Sequence, residues 1–228
     1  MSVPAHVGEE WLRRVEAEYT SSAITASLVQ WMIRLGAPPE LIREGLRIVD
    51  DELEHASLSA RVAAEAGCED PPQLVQESLG LHRTEAPLWL DALWAAVESF
   101  CLGETVAVPL FVAMRADCTV EAARAALDRI VRDEVRHRDF GWATLDWFIQ
   151  TRGDEARRQV ERALPGMMQR LRTNYGQGGD APSSKTSTSQ AQWGLLPISR
   201  YAEILERCVV RDYVPRFEAL GIDFTTRC

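Results

Sequence analysis

The chain lacks the features that would place it in several large functional classes. No run of apolar residues approaches the roughly 18 needed to cross a bilayer, so no membrane span is expected. Met1 to Glu10 carries acids in place of a basic and then apolar leader, and no secretory signal is read there. Basic residues are outnumbered, 25 Lys and Arg against 34 Asp and Glu, and the net charge of −9 disfavours nucleic acid and anionic membrane surfaces as partners. The five cysteines form no C-x-x-C pair, which excludes a rubredoxin-like iron centre. An odd number of thiols fits free cysteines in a reducing cytoplasm. Gly-rich phosphate loops, a G-x-S-x-G elbow and zinc-type Cys/His clusters are absent as well.

What remains is an ordinary globular composition, 46% hydrophobic and 26% charged over 228 residues, enough for one domain with a sizeable core. Its periodicity is helical. A first helix is expected from about Glu9 to Leu35, ending at Gly36-Ala37-Pro38-Pro39, where glycine caps and proline forbids continuation. A second runs from near Pro38 to Ala66, stopped by Gly67. A crossover from about Cys68 to Glu85 contains Pro71-Pro72. The third helix spans about Ala86 to Ala116, with Pro109 expected to kink it. Thr119 is the candidate N-cap of a fourth helix reaching about Thr151. Asp154 to Ala163 suggests a fifth, ended by Pro165-Gly166. Asn174 to Gln190, rich in Gly, Ser and Thr, reads as a flexible loop. Helical periodicity resumes over Ile198 to Leu220.

Hairpin, long crossover and hairpin together predict an all-α, ferritin-like four-helix bundle with a C-terminal helical extension. The expected division is a bundle over 1–172, a flexible loop over 173–192 and a C-terminal helix over 193–228 packing on the bundle.

The second helix contains Asp51-Glu52-Leu53-Glu54-His55 and the fourth Asp133-Glu134-Val135-Arg136-His137, both reading D-E-x-x-H. Residues three apart on a helix share a face, so each Glu and His can grip one metal ion together. Carboxylate oxygen with neutral imidazole suits iron or manganese. Asp51 and Asp133, each preceding its motif, are expected to hold the far nitrogen of the histidine and so set its tautomer. With 21 Glu and 13 Asp, a given His has a chance of about 0.005 of carrying this prefix, and two among four His arise by chance roughly one or two times in ten thousand. A single copy would read as a solvated helix face; the pair does not.

The first and third helices are each expected to add one Glu. Trp11, Val15, Thr25, Val29 and Met32 form a stripe interrupted by Glu18, and Val97, Phe100, Cys101, Val108 and Phe111 form another interrupted by Glu104. Glu16 and Glu98 fall off these stripes and read as surface acids. Four buried carboxylates need compensation. Two divalent ions, +4, balance the −4 of Glu18, Glu52, Glu104 and Glu134.

The order Glu, Glu-x-x-His, Glu, Glu-x-x-His resembles the ferritin-like di-iron carboxylate superfamily, over about Trp11 to Trp147. Ala17-Glu18-Tyr19-Thr20-Ser21, Gly36-Ala37-Pro38, Cys101-Leu102-Gly103-Glu104-Thr105, Val131-Arg132-Asp133-Glu134 and the terminal Tyr213-Val214-Pro215 look like stand-alone bacterial ferritin-like domain proteins. The resemblance implies Glu18, Glu52, His55, Glu104, Glu134 and His137 as ligands of two iron ions roughly 3–4 Å apart, with manganese or a mixed pair as the alternative. It further implies a di-iron oxygenase or oxidase using O2, a small-molecule substrate and an external electron donor, with a homodimer as one assembly to consider. Two readings stand against it: a ferroxidase or peroxide-scavenging protein of ferritin or rubrerythrin type, and a non-catalytic helical interaction module, which the doubled motif disfavours.

Weaker candidates read more simply as structure. His6 and His82 are surface residues more often than ligands, Cys101 is a packed core thiol before it is a neighbour of the site, and Tyr19 and Trp142 are core aromatics before they are radical relays. Ser21, Ser22 and Thr25 are small enough to leave room for a substrate beside Glu18.

Overall fold

A computed structural model describes residues 5–176 and 187–224, Ala5 by its backbone alone. Among the described residues the chain is helical throughout, with no strand. The helices are α1 (Ala5–Arg34), α2 (Pro39–Glu65), α3 (Leu88–Ala95), α4 (Thr105–Ala116), α5 (Glu121–Arg152), α6 (Asp154–Asn174), α7 (Thr188–Gln192), α8 (Ile198–Cys208) and α9 (Val214–Ala219). Two widened, π-helical segments, Ala96–Glu104 and Val209–Tyr213, continue α3 into α4 and α8 into α9.

The chain groups into two compact units. One comprises 5–82, 111–133 and 187–196; the other 83–110, 134–176 and 197–224.

In the first unit α1 and α2 form the hairpin that the Gly-Ala-Pro-Pro signal predicts. The Ala37 amide donates to the Met32 carbonyl and the Gly36 amide to Ile33, with Gly36 at φ 75°, so glycine takes the left-handed position that ends α1. Pro39 then opens α2, where a missing N–H costs nothing. Trp11, Val15, Leu28 and Met32 of α1 and Ile48 and Val62 of α2 are buried. Gly8 lets α1 approach the end of α2: a Cβ there would sit 2.5 Å from that of Cys68. The crossover after α2 is extended apart from one tight turn, Gln76–Ser78.

In the second unit α6 packs on α3 and on the first π-helical segment. Phe100 meets Phe140 edge to face at 5.0 Å, and Trp142 meets Phe217 at 4.8 Å. The Tyr213 hydroxyl donates to the Leu102 carbonyl at 2.6 Å, tying the second widened segment to the first.

Several expectations need correction. Pro165-Gly166 does not end the fifth helix: α6 runs through both to Asn174. Leu164, Met167 and Met168 are buried on either side, and that packing offsets the missing hydrogen bond. Thr119 is not an N-cap. Its amide and that of Val120 both donate to the Gln192 carbonyl, and α5 starts at Glu121. Within the presumed flexible loop, Ser187 and Gln190 form a reciprocal capping box that opens the short α7. Residues 177–186 of that loop lie outside the described residues. The third helix is continuous across Pro109, and its irregularity lies upstream, in the widened turns.

The stretch Leu88–Ala116 is long and apolar enough to cross a membrane by length and composition, which a count of consecutive apolar residues did not reveal. Core helices of globular proteins pass the same test, and Leu90, Leu93, Val97, Phe100, Leu102 and Val106 are buried within the protein.

Candidate metal-binding site

Glu18, Glu52 and His55 converge in the first unit. Glu18 comes from the interior stripe of α1, and Glu52 and His55 from successive turns of α2; all three are buried, with His55 wholly so. One ligand atom from each lies within 4.8 Å of the others. His55 Nδ1 is 3.3 Å from Glu52 Oε2, and Ser21 donates to the other oxygen, Oε1, at 2.8 Å. The serine thereby fixes the carboxylate plane.

The far nitrogen of His55, Nε2, lies 3.3 Å from Asp133 Oδ2. With the Nε2 proton given to that carboxylate, Nδ1 presents its lone pair to Glu52. Two acceptors facing each other in a buried setting are held by a cation between them. The spacing fits a divalent metal with bonds of about 2.0–2.2 Å after side-chain movements of a few tenths of an ångström. The residues present therefore fit a metal ion.

The aspartates are arranged differently from the expectation that each serves its own motif. Asp133, from α5, faces the histidine of the α2 motif. Asp51 instead accepts from Arg129 Nη2 at 3.3 Å, and the Nε of the same guanidinium donates to Asp133. Burial raises the Asp133 pKa, but the hydrogen bonds from Arg129 and His55 outweigh it and hold the carboxyl below its usual range.

In the second unit Glu134 and His137 of α5 are buried one turn apart, with His137 Nδ1 3.6 Å from Glu134 Oε2. Glu104 is half-buried and closes the π-helical segment. Next to it, Thr105 accepts from the indole of the buried Trp142 at 2.9 Å. Tyr175, at the end of α6, has its phenol held well above the usual tyrosine range. Burial is the main cause, followed by the charges of Glu104, Tyr201, Cys208 and Glu134.

The widened turns before Glu104 have a visible support. Gly141 of α5 lies against them so closely that a Cβ would sit 2.5 Å from Phe100 Cβ, 2.7 Å from the Phe100 carbonyl carbon and 2.9 Å from the Cys101 nitrogen. π-Helical turns recur at functional sites because they re-aim one side chain without ending the helix.

The residues set aside do lie elsewhere. Glu98 pairs with Arg170 at 2.6 and 2.9 Å on the surface, and Glu16 accepts from the Gln73 amide. His82 is exposed, and His6 contacts Gln190. Cys101 is fully buried and its thiol pKa is driven up by desolvation, as in a core cysteine. Tyr19 is exposed. Ser22 and Thr25 spend their hydroxyls on the carbonyls of Val49 and Ser21. Sequence reasoning missed Arg129, although its place four residues before Asp133 on a helix is a readable pairing signal. It also missed Tyr175, which no local pattern marks.

The chain matches no protein-family model, and no curated protein or solved structure matches it.

Proposed function

We propose that the protein is a non-haem di-iron oxygenase or oxidase that activates O2 to oxidise a small organic substrate. The observation that carries the reading is the buried convergence of Glu18, Glu52 and His55, with donor types suited to iron or manganese. Glu18, Glu52 and His55 would hold one ion, and Glu104, Glu134 and His137 a second, in a ferritin-like four-helix bundle. When bound, the ions supply the electrons and the Lewis acidity for dioxygen chemistry. The chain's own residues prepare the site. Ser21 orients Glu52; Asp133 fixes the His55 ring. The setting belongs to the same proposal: a reducing cytoplasm, consistent with four unbonded cysteines among the described residues, and an external electron donor.

Iron loading tests it. Protein expressed with ample iron should carry about two irons per chain, and magnetic coupling between them would establish a paired centre. Added in excess under air, Fe(II) should be oxidised to about that stoichiometry and then stall. An iron- and manganese-free protein would refute metal binding. Sustained turnover with ferric product kept soluble in a large closed assembly would favour ferroxidase over oxygenase.

A further inference from the structure

Arg129 is the one cation whose guanidinium bridges both motif aspartates in the first unit. It reaches Asp51 on α2 through Nη2 and Asp133 on its own helix through Nε, and Asp133 in turn faces His55 Nε2 at 3.3 Å. A planar guanidinium can hold two carboxylates at fixed angles, which an ammonium cannot do. Two aspartates so close to a metal site carry charge that neither Glu18 nor Glu52 can neutralise. Without a cation they would repel each other and, if protonated, Asp133 would cease to be a full acceptor for the ring N–H.

We propose that Arg129 is a positioning residue for the Glu18–Glu52–His55 triad. By clamping Asp51 and Asp133 as carboxylates, it keeps the His55 Nε2 proton in its hydrogen bond. That leaves Nδ1 as the ring's metal-facing atom before any ion arrives. The proposal rests on the metal-binding reading above for its consequence, but its structural core is measurable in metal-free protein.

Arg132 supplies an internal control. It lies on the same helix, carries the same charge and approaches Asp133 only to 3.7 Å from a largely exposed position. It makes no contact with Asp51 among the printed pairs of the described residues. Loss of charge alone should therefore be felt similarly in Arg129 and Arg132 variants, whereas loss of the clamp should be felt only at Arg129.

The experiment uses the full chain with Arg129→Gln, Arg129→Lys and Arg132→Gln, each checked for helicity. In metal-free protein labelled with 15N at histidine, NMR follows the His55 Nε2–H resonance and its exchange with solvent. Wild type and Arg132→Gln should show a protected Nε2–H; Arg129→Gln should lose protection, and Arg129→Lys should recover part of it. Ferrous iron affinity, measured anaerobically by chelator competition, should fall about 10–100-fold for one equivalent in Arg129→Gln, the range for losing a group that orients a metal-binding histidine. It should hold in Arg132→Gln.

A His55 Nε2 that carries no proton in wild type would overturn the proposal, as would an Arg129→Gln protein with unchanged exchange and affinity. Equal losses in Arg129→Gln and Arg132→Gln would also overturn it, in favour of general electrostatics. If Arg129→Gln fails to fold, Arg129→Lys against Arg132→Gln decides by the same two readouts. A wild type that binds no iron yet shows the protected proton and its loss in Arg129→Gln would refute the metal reading and leave the clamp standing.

Discussion

Replacing Gly141 by alanine tests whether the widened turns before Glu104 depend on the close approach of α5. Two effects oppose each other. Alanine in a helix interior is favoured over glycine by about 1 kcal/mol. Against it, the new Cβ would meet Phe100 Cβ, the Phe100 carbonyl carbon and the Cys101 nitrogen at 2.5, 2.7 and 2.9 Å. Carbon atoms pack best at about 3.5–4.0 Å, so each contact is short by roughly 1 Å. Two of the three atoms are backbone and cannot rotate away. Overpacking of a tight core costs about 1–3 kcal/mol, and a backbone obstruction belongs at the upper end. The net expectation is a loss of about 2 kcal/mol, or roughly 4–8 °C in Tm for a chain of this size. Because the displaced backbone leads into Glu104, binding of the second iron equivalent should weaken as well. Gly166→Ala in α6 is the control. Its Cβ would meet only the end of the Arg170 side chain, at 3.5 Å, so it should stabilise by up to about 1 kcal/mol. Urea or thermal unfolding of both variants decides the matter. A Gly141→Ala protein as stable as wild type, or more so, would show that the close packing against Phe100 and Cys101 is wrong.

Further outcomes follow from the same geometry. His55→Ala and His137→Ala should each lose about one equivalent of metal while keeping most of their helicity, measured by metal analysis and circular dichroism. Acid stability should depend on Asp91. Burial raises its pKa, but Thr84 and Arg83 hold it below the ordinary 3.8. Its contribution is therefore complete above that value and lost as pH falls through the lower folded-state pKa. Asp91→Asn should flatten that part of the acid unfolding curve, and an unchanged curve would contradict the assignment. Pro165→Ala should stabilise α6 by about 1–3 kcal/mol, because the helix already runs through that position without the amide hydrogen bond; a lower Tm would mean that the proline ring has a packing role.

The helices α1 and α2 and the turn between them were legible because their signals are local. A 3.6-residue stripe, a glycine that can take positive φ and a proline at the first helical position act within a few residues of one another. Glu18 could be found for the same reason, as an acid interrupting an apolar stripe. The path of α6 through Pro165 was not legible. Proline's local cost argues for a stop, and only burial of Leu164, Met167 and Met168 reverses it. Thr119 looked like a cap by residue type, but whether its neighbourhood starts a helix depends on the Gln192 carbonyl, 73 residues away.

At the site the division is sharper. The i, i+3 spacing of Glu52 with His55 and of Glu134 with His137 is a property of any α-helix, so the pairing of ligand types on one face was determined by sequence alone. Which aspartate serves His55 was not. Asp51 is four residues before it, yet the hydrogen bond comes from Asp133, and Asp51 turns to Arg129. That choice, like the seating of Gly141 against Phe100, belongs to the tertiary structure. It depends on which face of α5 packs where, and helical periodicity places a side chain on a face without naming the partner that the face will meet.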